Sequence, residues 1–134
     1  MVDKLNSYRD LVAWQIAIDF TDAVYTLTQS FPSDEKFGLS QQLRRAAVSI
    51  ASNLAEGSVR GKLEFIHVIN IARGSLAEVE TQLLIAKRRN YGDATIYEPL
   101  EIQANRFSRV MMGLLKSLKK PSTKHQALGT SHGI

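Results

Sequence analysis

The chain reads as an all-α protein, an antiparallel up-down-up-down four-helix bundle with a short flexible C-terminal tail. Three observations predict this. Four segments with apolar residues at three- and four-residue steps fill most of the 134 residues. Short connections separate them, each carrying a glycine or proline, and such connections force antiparallel neighbours. No stretch of useful length alternates polar and apolar residues at period two, so strands are not expected.

The first segment, about residues 9 to 30, places Leu11, Trp14, Ile18 and Tyr25 on one stripe and Ala17, Phe20, Val24 and Leu27 on the next, and Phe31-Pro32-Ser33 ends it. Segment two, about 38 to 57, repeats Leu39, Leu43, Ala46, Ile50 and Leu54, and Gly57 stands where a helix stops. In segment three, about 62 to 90, Phe65, Ile69, Ala72, Leu76, Val79, Leu83 and Ala86 alternate steps of four and three without interruption, the seam of a bundle or coiled coil. Asn90-Tyr91-Gly92-Asp93 then combines a stop with an aspartate that can cap the next helix. Segment four, about 94 to 119, runs through Leu100, Phe107, Met111, Leu114 and Leu118; Pro99 fits only in a first turn, which moves the expected start to Glu98. Helices of this size would be roughly 30 to 43 Å long at 1.5 Å per residue. Residues 1–120 thus form the bundle domain, and 121–134, without periodicity, the flexible tail.

Composition narrows the class. With 44% hydrophobic and 22% charged residues the chain matches one globular domain, and with no cysteine it needs no oxidising compartment, so a cytoplasmic protein is expected. The N-terminus lacks a signal-peptide pattern and no apolar run is long enough for a membrane span, so no membrane is expected as a partner. The net charge of +4 is unevenly spread: residues 1 to 35 carry two basic and six acidic side chains, net −4, and residues 36 to 134 carry fifteen and seven, net +8. That asymmetry allows an anion-facing surface.

Catalytic chemistry finds little support. Glu64-Phe65-Ile66-His67 has the Glu-x-x-His spacing of di-iron bundles, but those sites need two such motifs and a Glu from each other helix, whereas the remaining histidines, His125 and His132, both fall in the tail. The stretch from Gly57 to Lys62 lacks the spacing and preceding strand of a phosphate loop, and Gly74-Ser75 lies mid-helix, where no nucleophile elbow forms. No catalytic residue, metal or cofactor is expected.

Two polar stripes run beside the apolar seams: Arg45, Ser49, Ser52 and Glu56 on helix two, and Ser75, Glu78 and Gln82 on helix three. Of two readings, a ligand groove and a hydrogen-bonded helix contact that fixes register within or between subunits, the contact is favoured. Asn53 and Gly74 join them as contact candidates, because a mid-helix glycine opposite the seam costs about 1 kcal/mol unless something packs closely on it.

A specific pattern runs through these residues: Tyr8-Arg9-Asp10-Leu11 with Trp14-Gln15, Phe31-Pro32, Gln42-Leu43-Arg44-Arg45-Ala46-Ala47, Ser49-Ile50 with Asn53-Leu54-Ala55-Glu56-Gly57, Gly74-Ser75-Leu76-Ala77-Glu78 and Thr81-Gln82-Leu83. It resembles the four-helix-bundle family named after proteins encoded in intervening sequences of large-subunit (23S) ribosomal RNA, over about residues 8 to 118. The resemblance implies homopentamers, and kinship with the accessory protein of diversity-generating retroelements, a basic barrel that binds nucleic acid and a reverse transcriptase. Where the family often has proline after Ser-Ile this chain has Ala51, so a bend in helix two is expected to be weaker or absent.

The functional expectation is therefore a non-enzymatic homo-oligomeric scaffold that binds RNA or DNA. Its candidate phosphate contacts are Arg44, Arg45, Arg60, Lys62, Arg88, Arg89, Lys116, Lys119 and Lys120, with Lys87 packing its stem nearer the seam. The alternative is an oligomer that binds only protein, with the same cations solvated. Stacking platforms for single strands are not evident, because most of the ten aromatics fall on seams or connections. Binding is expected to backbone phosphates with little sequence preference.

Overall fold

The computed structural model describes residues 7–121 and contains four long helices: α1 (Val12–Thr28), α2 (Leu39–Ser58), α3 (Lys62–Arg88) and α4 (Tyr97–Lys119). Among the described residues there is no strand. The tail expected at 121–134 lies outside them except for Pro121, as do His125 and His132.

Side-chain pairs establish the directions. Thr21 Oγ1 donates to the Ala47 carbonyl (3.2 Å) and Arg44 Nε to Thr28 Oγ1 (2.7 Å), so α2 runs against α1. Gln82 Nε2 reaches Gln42 Oε1 (3.3 Å) while Gly57 faces Val68, so α3 runs against α2. Lys87 pairs with Glu101 (3.1 Å), and Glu80 shares a cleft with Asn105, which sets α4 against α3. Since α4 also packs on α1, the four helices close an up-down-up-down ring.

The core follows the helical periods. All seven seam residues of α3 are buried, and so are Leu43, Ala46, Ile50 and Leu54 of α2, with Leu39 half-buried. Burying such side chains is worth roughly 1.5 to 3 kcal/mol each for the larger ones. Phe20 and Phe107 meet across α1 and α4 with ring centroids 6.1 Å apart and planes tilted by 59°, an arrangement that aromatic quadrupoles favour.

Two expectations about the seams need correction. On α1 the buried line is Ala13, Ile16, Ala17, Phe20, Val24 and Leu27, whereas Ile18 and Tyr25 are exposed and Trp14 is half-buried. A helix on the rim of a four-helix ring buries one stripe, and of the second only Leu11, just before the helix, is buried. On α4, Leu115 occupies the core position and Leu114 and Leu118 only flank it.

Helix ends are set by local chemistry. Tyr8–Asp10 forms a separate 3-10 turn whose Arg9 N–H is capped by Ser7 Oγ (3.0 Å), so α1 begins at Val12 and not at residue 9. At α2 the Glu35 carboxylate accepts the Leu39 N–H (2.9 Å), satisfying one of the four orphan donors of a helix start. Gly57 does not stop α2, which continues to Ser58. The glycine is there because a Cβ would lie 2.9 Å from Val68, which makes it a point of close helix approach. Ala51 is buried within this unbroken helix, where the related family often has proline.

At the end of α3, Asn90 takes a positive φ of 61°, the Tyr91 N–H bonds the Ala86 carbonyl and the Asn90 N–H bonds that of Lys87. That is a Schellman termination with asparagine in the left-handed position. Asp93 caps the 3-10 turn Ala94–Ile96 through the Thr95 N–H, not α4 itself. Helix α4 starts at Tyr97, one residue before the expected Glu98, and Pro99 sits in its first turn, where a missing N–H leaves no bond unmade.

Candidate nucleic-acid interface

The antiparallel fold sorts the nine expected phosphate contacts into two groups at opposite ends of the bundle. Arg44 and Arg45, early in α2, lie at the end where α3 finishes with Arg88 and Arg89. The α2–α3 turn with Arg60 and Lys62 lies at the other end, where α4 finishes with Lys116, Lys119 and Lys120.

They are not equally available. Arg60 is held by Glu56 at 2.6 Å, an exposed i,i+4 pair. Arg44 is tied down by Thr28 Oγ1 and lies over the Tyr25 ring, 4.5 Å from its centroid. Arg89 contributes to holding the Glu35 carboxyl below its ordinary range, behind the larger effects of the Leu39 N–H and the Tyr91 hydroxyl. Arg45, Lys62, Arg88, Lys116, Lys119 and Lys120 are exposed.

Two further cations are absent from the set expected from the sequence. Arg106 and Arg109 are both exposed on α4, and no Asp or Glu follows Glu101 anywhere in the chain. At about 100° per residue, Arg106, Arg109, Lys116, Lys119 and Lys120 share an outward arc of about 140° and span about 21 Å along the axis. Unlike Lys87-Arg88-Arg89, they make no contiguous run, so only a wheel reveals them. The result is an acid-free basic stripe over the second half of α4.

The contact candidates divide as well. Gln82 is buried and its Nε2 lies 3.3 Å from both Gln42 Oε1 and Glu78 Oε2. A register-fixing polar contact between α2 and α3 therefore exists, but its α2 partner is Gln42 and not the stripe from Arg45 to Glu56. Asn53 Nδ2 donates to Ser49 Oγ (3.2 Å) within α2, and Ser75 is half-buried. Around Gly74 the space is open, and a Cβ at this position would meet nothing within 4 Å. The outer face of α3 that carries it also exposes Leu63, Ile71, Ala77, Leu84 and Ile85.

Glu64 and His67 are both exposed, and no group of three or more His, Asp or Glu is placed to hold a metal ion among the described residues. None of the described helices is long and apolar enough to cross a membrane.

A third feature is a groove of about 890 Å³ along α1, the α1–α2 connection and the first three turns of α2. Tyr25, Phe31 and Phe37 line it together with Lys36, Arg44 and Arg45, and no carboxylate does. Phe37 stands 80% exposed with Lys36 Nζ 5.5 Å from its ring centroid. The expectation that no stacking platform arises, because most aromatics fall on seams or connections, fails here: Phe37 is on a connection, but its ring is exposed beside Lys36 in a groove that Arg44 and Arg45 also line.

These features define a four-helix bundle with a cationic outer surface and an apolar outer face. The family profile described as 23S rRNA-intervening sequence protein matches residues 9–113, and the chain belongs to that family. Among solved structures it is similar to a protein of unknown function from the S23 ribosomal protein family of Bacteroides thetaiotaomicron VPI-5482, with 24% identity and a TM-score of 0.71 over 81% of this chain and 98% of that one. That likeness concerns the fold. None of the curated proteins matches the chain.

Proposed function

We propose that this chain is a non-enzymatic, cytoplasmic scaffold that assembles with copies of itself and binds RNA or DNA through backbone phosphates. The observation that carries the reading is the basic stripe of α4, in which five exposed cations stand on one face with no carboxylate after Glu101. A surface of that kind concentrates phosphates and releases their counterions without reading sequence. Assembly would repeat the stripe by symmetry. Five copies, and an accessory role beside a reverse transcriptase, are carried by the family resemblance.

A protein-binding oligomer without nucleic acid is the second reading, favoured by the outer face of α3, where Leu63 is 82% exposed and Ile71, Leu84 and Ile85 nearly half. Large apolar side chains exposed on one helix face, here among His67, Asn70, Glu78, Thr81 and Arg88, are suited to a partner. Salt titration separates the two. Under the first reading, affinity for duplex RNA or DNA falls linearly in log–log form with added salt and changes little with sequence. No binding at low salt would leave only the second.

A further inference from the structure

We infer that the groove between α1 and α2 takes a single nucleic-acid strand, with a base stacked on Phe37 and phosphates held by Lys36, Arg44 and Arg45. This rests on the nucleic-acid reading above and adds the strand state and the site.

The ring of Phe37 is in the turn before α2, 80% exposed, outside the apolar core. It offers a π-face that any base can use, so stacking there needs no sequence preference. The cations beside it are arranged, not merely present. The Arg44 guanidinium is fixed by Thr28 Oγ1 at 2.7 Å, by the Tyr25 carbonyl at 3.4 Å and by the ring of Tyr25 beneath it. Thr28 is itself buried and anchored to the Val24 carbonyl at 2.8 Å, so the guanidinium holds its position before any ligand arrives. The bonds of Arg44 to Thr28 and Tyr25 use the Nε hydrogen and one on Nη2, so the Nη1 hydrogens and the second on Nη2 are left, in a fixed place, for phosphate oxygens.

The two carboxylates of the connection, Asp34 and Glu35, do not line the groove, and Glu35 accepts the Leu39 N–H and the Tyr91 hydroxyl. Along α2 the lining positions run from Ser40 to Ser49, about 14 Å at the helical rise, and Phe37 lines the groove just before them, room for a short stretch of extended strand. A duplex could meet the α4 stripe but could not present an unstacked base to Phe37.

The test is fluorescence anisotropy with fluorescein-labelled oligothymidylate of about ten nucleotides and with a duplex of similar length. Phe37→Ala should weaken the oligothymidylate about tenfold, on the scale of one stacked base, and leave the duplex within about twofold. Phe37→Trp should bind like the parent, and its introduced indole should be quenched by unlabelled strand beyond the change Trp14 gives in the parent. Equal affinity of Phe37→Ala for the strand, or an unquenched indole, overturns the inference while duplex binding still supports the nucleic-acid reading. An oligoglutamate peptide that displaces the strand at equal charge concentration, in parent and Phe37→Ala alike, would make the groove a dock for acidic protein and also overturn it. A parent that binds neither nucleic acid defeats both proposals.

Discussion

The hydroxyl of Tyr91 donates to the Glu35 carboxylate at 3.0 Å, tying the α3–α4 connection to the α1–α2 connection at one end of the bundle. The same carboxylate accepts the Leu39 N–H at 2.9 Å and so caps α2. The Leu39 N–H and then the Tyr91 hydroxyl hold the Glu35 pKa below its ordinary 4.5 against an opposing effect of desolvation, with the Arg89 charge a lesser help.

A carboxyl depressed in the folded state stabilises the protein above its unfolded pKa and loses that contribution as pH falls through the depressed folded value. Glu35→Gln should therefore melt below the parent at neutral pH. The gap should narrow from about pH 4.5 downward and close in stronger acid. Thermal melts by circular dichroism across that range check this, and a gap independent of pH would remove the charge from the explanation.

Gly57 and Gly74 should respond oppositely to alanine. At Gly57 a Cβ would lie 2.9 to 3.0 Å from three carbons of Val68, so Gly57→Ala forces α2 and α3 apart, with an overpacking cost of roughly 1 to 3 kcal/mol that exceeds the gain in helix propensity. Val68→Ala in the same chain should return part of the loss. At Gly74 nothing lies within 4 Å, and alanine should gain up to about 1 kcal/mol in an isolated chain. Urea denaturation measures both.

Self-association through α3 predicts more for Gly74. A leucine there fits the isolated bundle, since the space is open, but not a closely packed neighbour. Gly74→Leu should keep its helicity and move towards monomer. Light scattering that returns the parent's mass would exclude this face as the contact.

Arg109 and Lys116 lie nearly in line on the outer face of α4, seven residues or about two turns apart. If they touch phosphates, Arg109→Glu with Lys116→Glu should weaken RNA and DNA binding alike and flatten the log–log salt slope by about 0.7 to 0.9 for each phosphate no longer neutralised. Arg88→Glu with Arg89→Glu, at the far end of the bundle, should do less, because Arg89 already neighbours Glu35. Lys116, Arg88 and Arg89 lie in or beside the last turn of a helix, where removing a cation costs about 1 kcal/mol at most, so circular dichroism must accompany the binding curves.

Gln82 is 7% exposed and its Oε1 has no hydrogen-bond partner among the described residues, while both bonds from Nε2 are long. Gln42 and Glu78 are exposed enough to turn to water if the amide is removed. Gln82→Met should leave stability unchanged or raise it by about 1 kcal/mol. A clear loss in denaturant unfolding would mean that the carbonyl finds its partner in the assembled protein.

The legibility of the chain varies with the redundancy of the local signal. The α3 seam can be read completely, because seven residues at strict three- and four-residue steps admit one buried face. On α1 two stripes are equally apolar, and composition does not say which faces inward. The Schellman stop at Asn90 is visible as a breaker, but Gly57 looks like one too and is instead a close approach between helices. Propensity explains a glycine at a helix end, whereas only a neighbour explains one inside.

By itself the sequence determined the fold class, the four helices with their approximate limits, the absence of cysteine chemistry and the family, since these depend on residue type and on spacing within one segment. Tertiary structure decided which cations share a surface, that Arg44 is held between Thr28 and Tyr25, and that Phe37 lines one groove with Arg44 and Arg45. Those relations join residues on different elements through the antiparallel register and the crossing of helices. No period within a single segment encodes them.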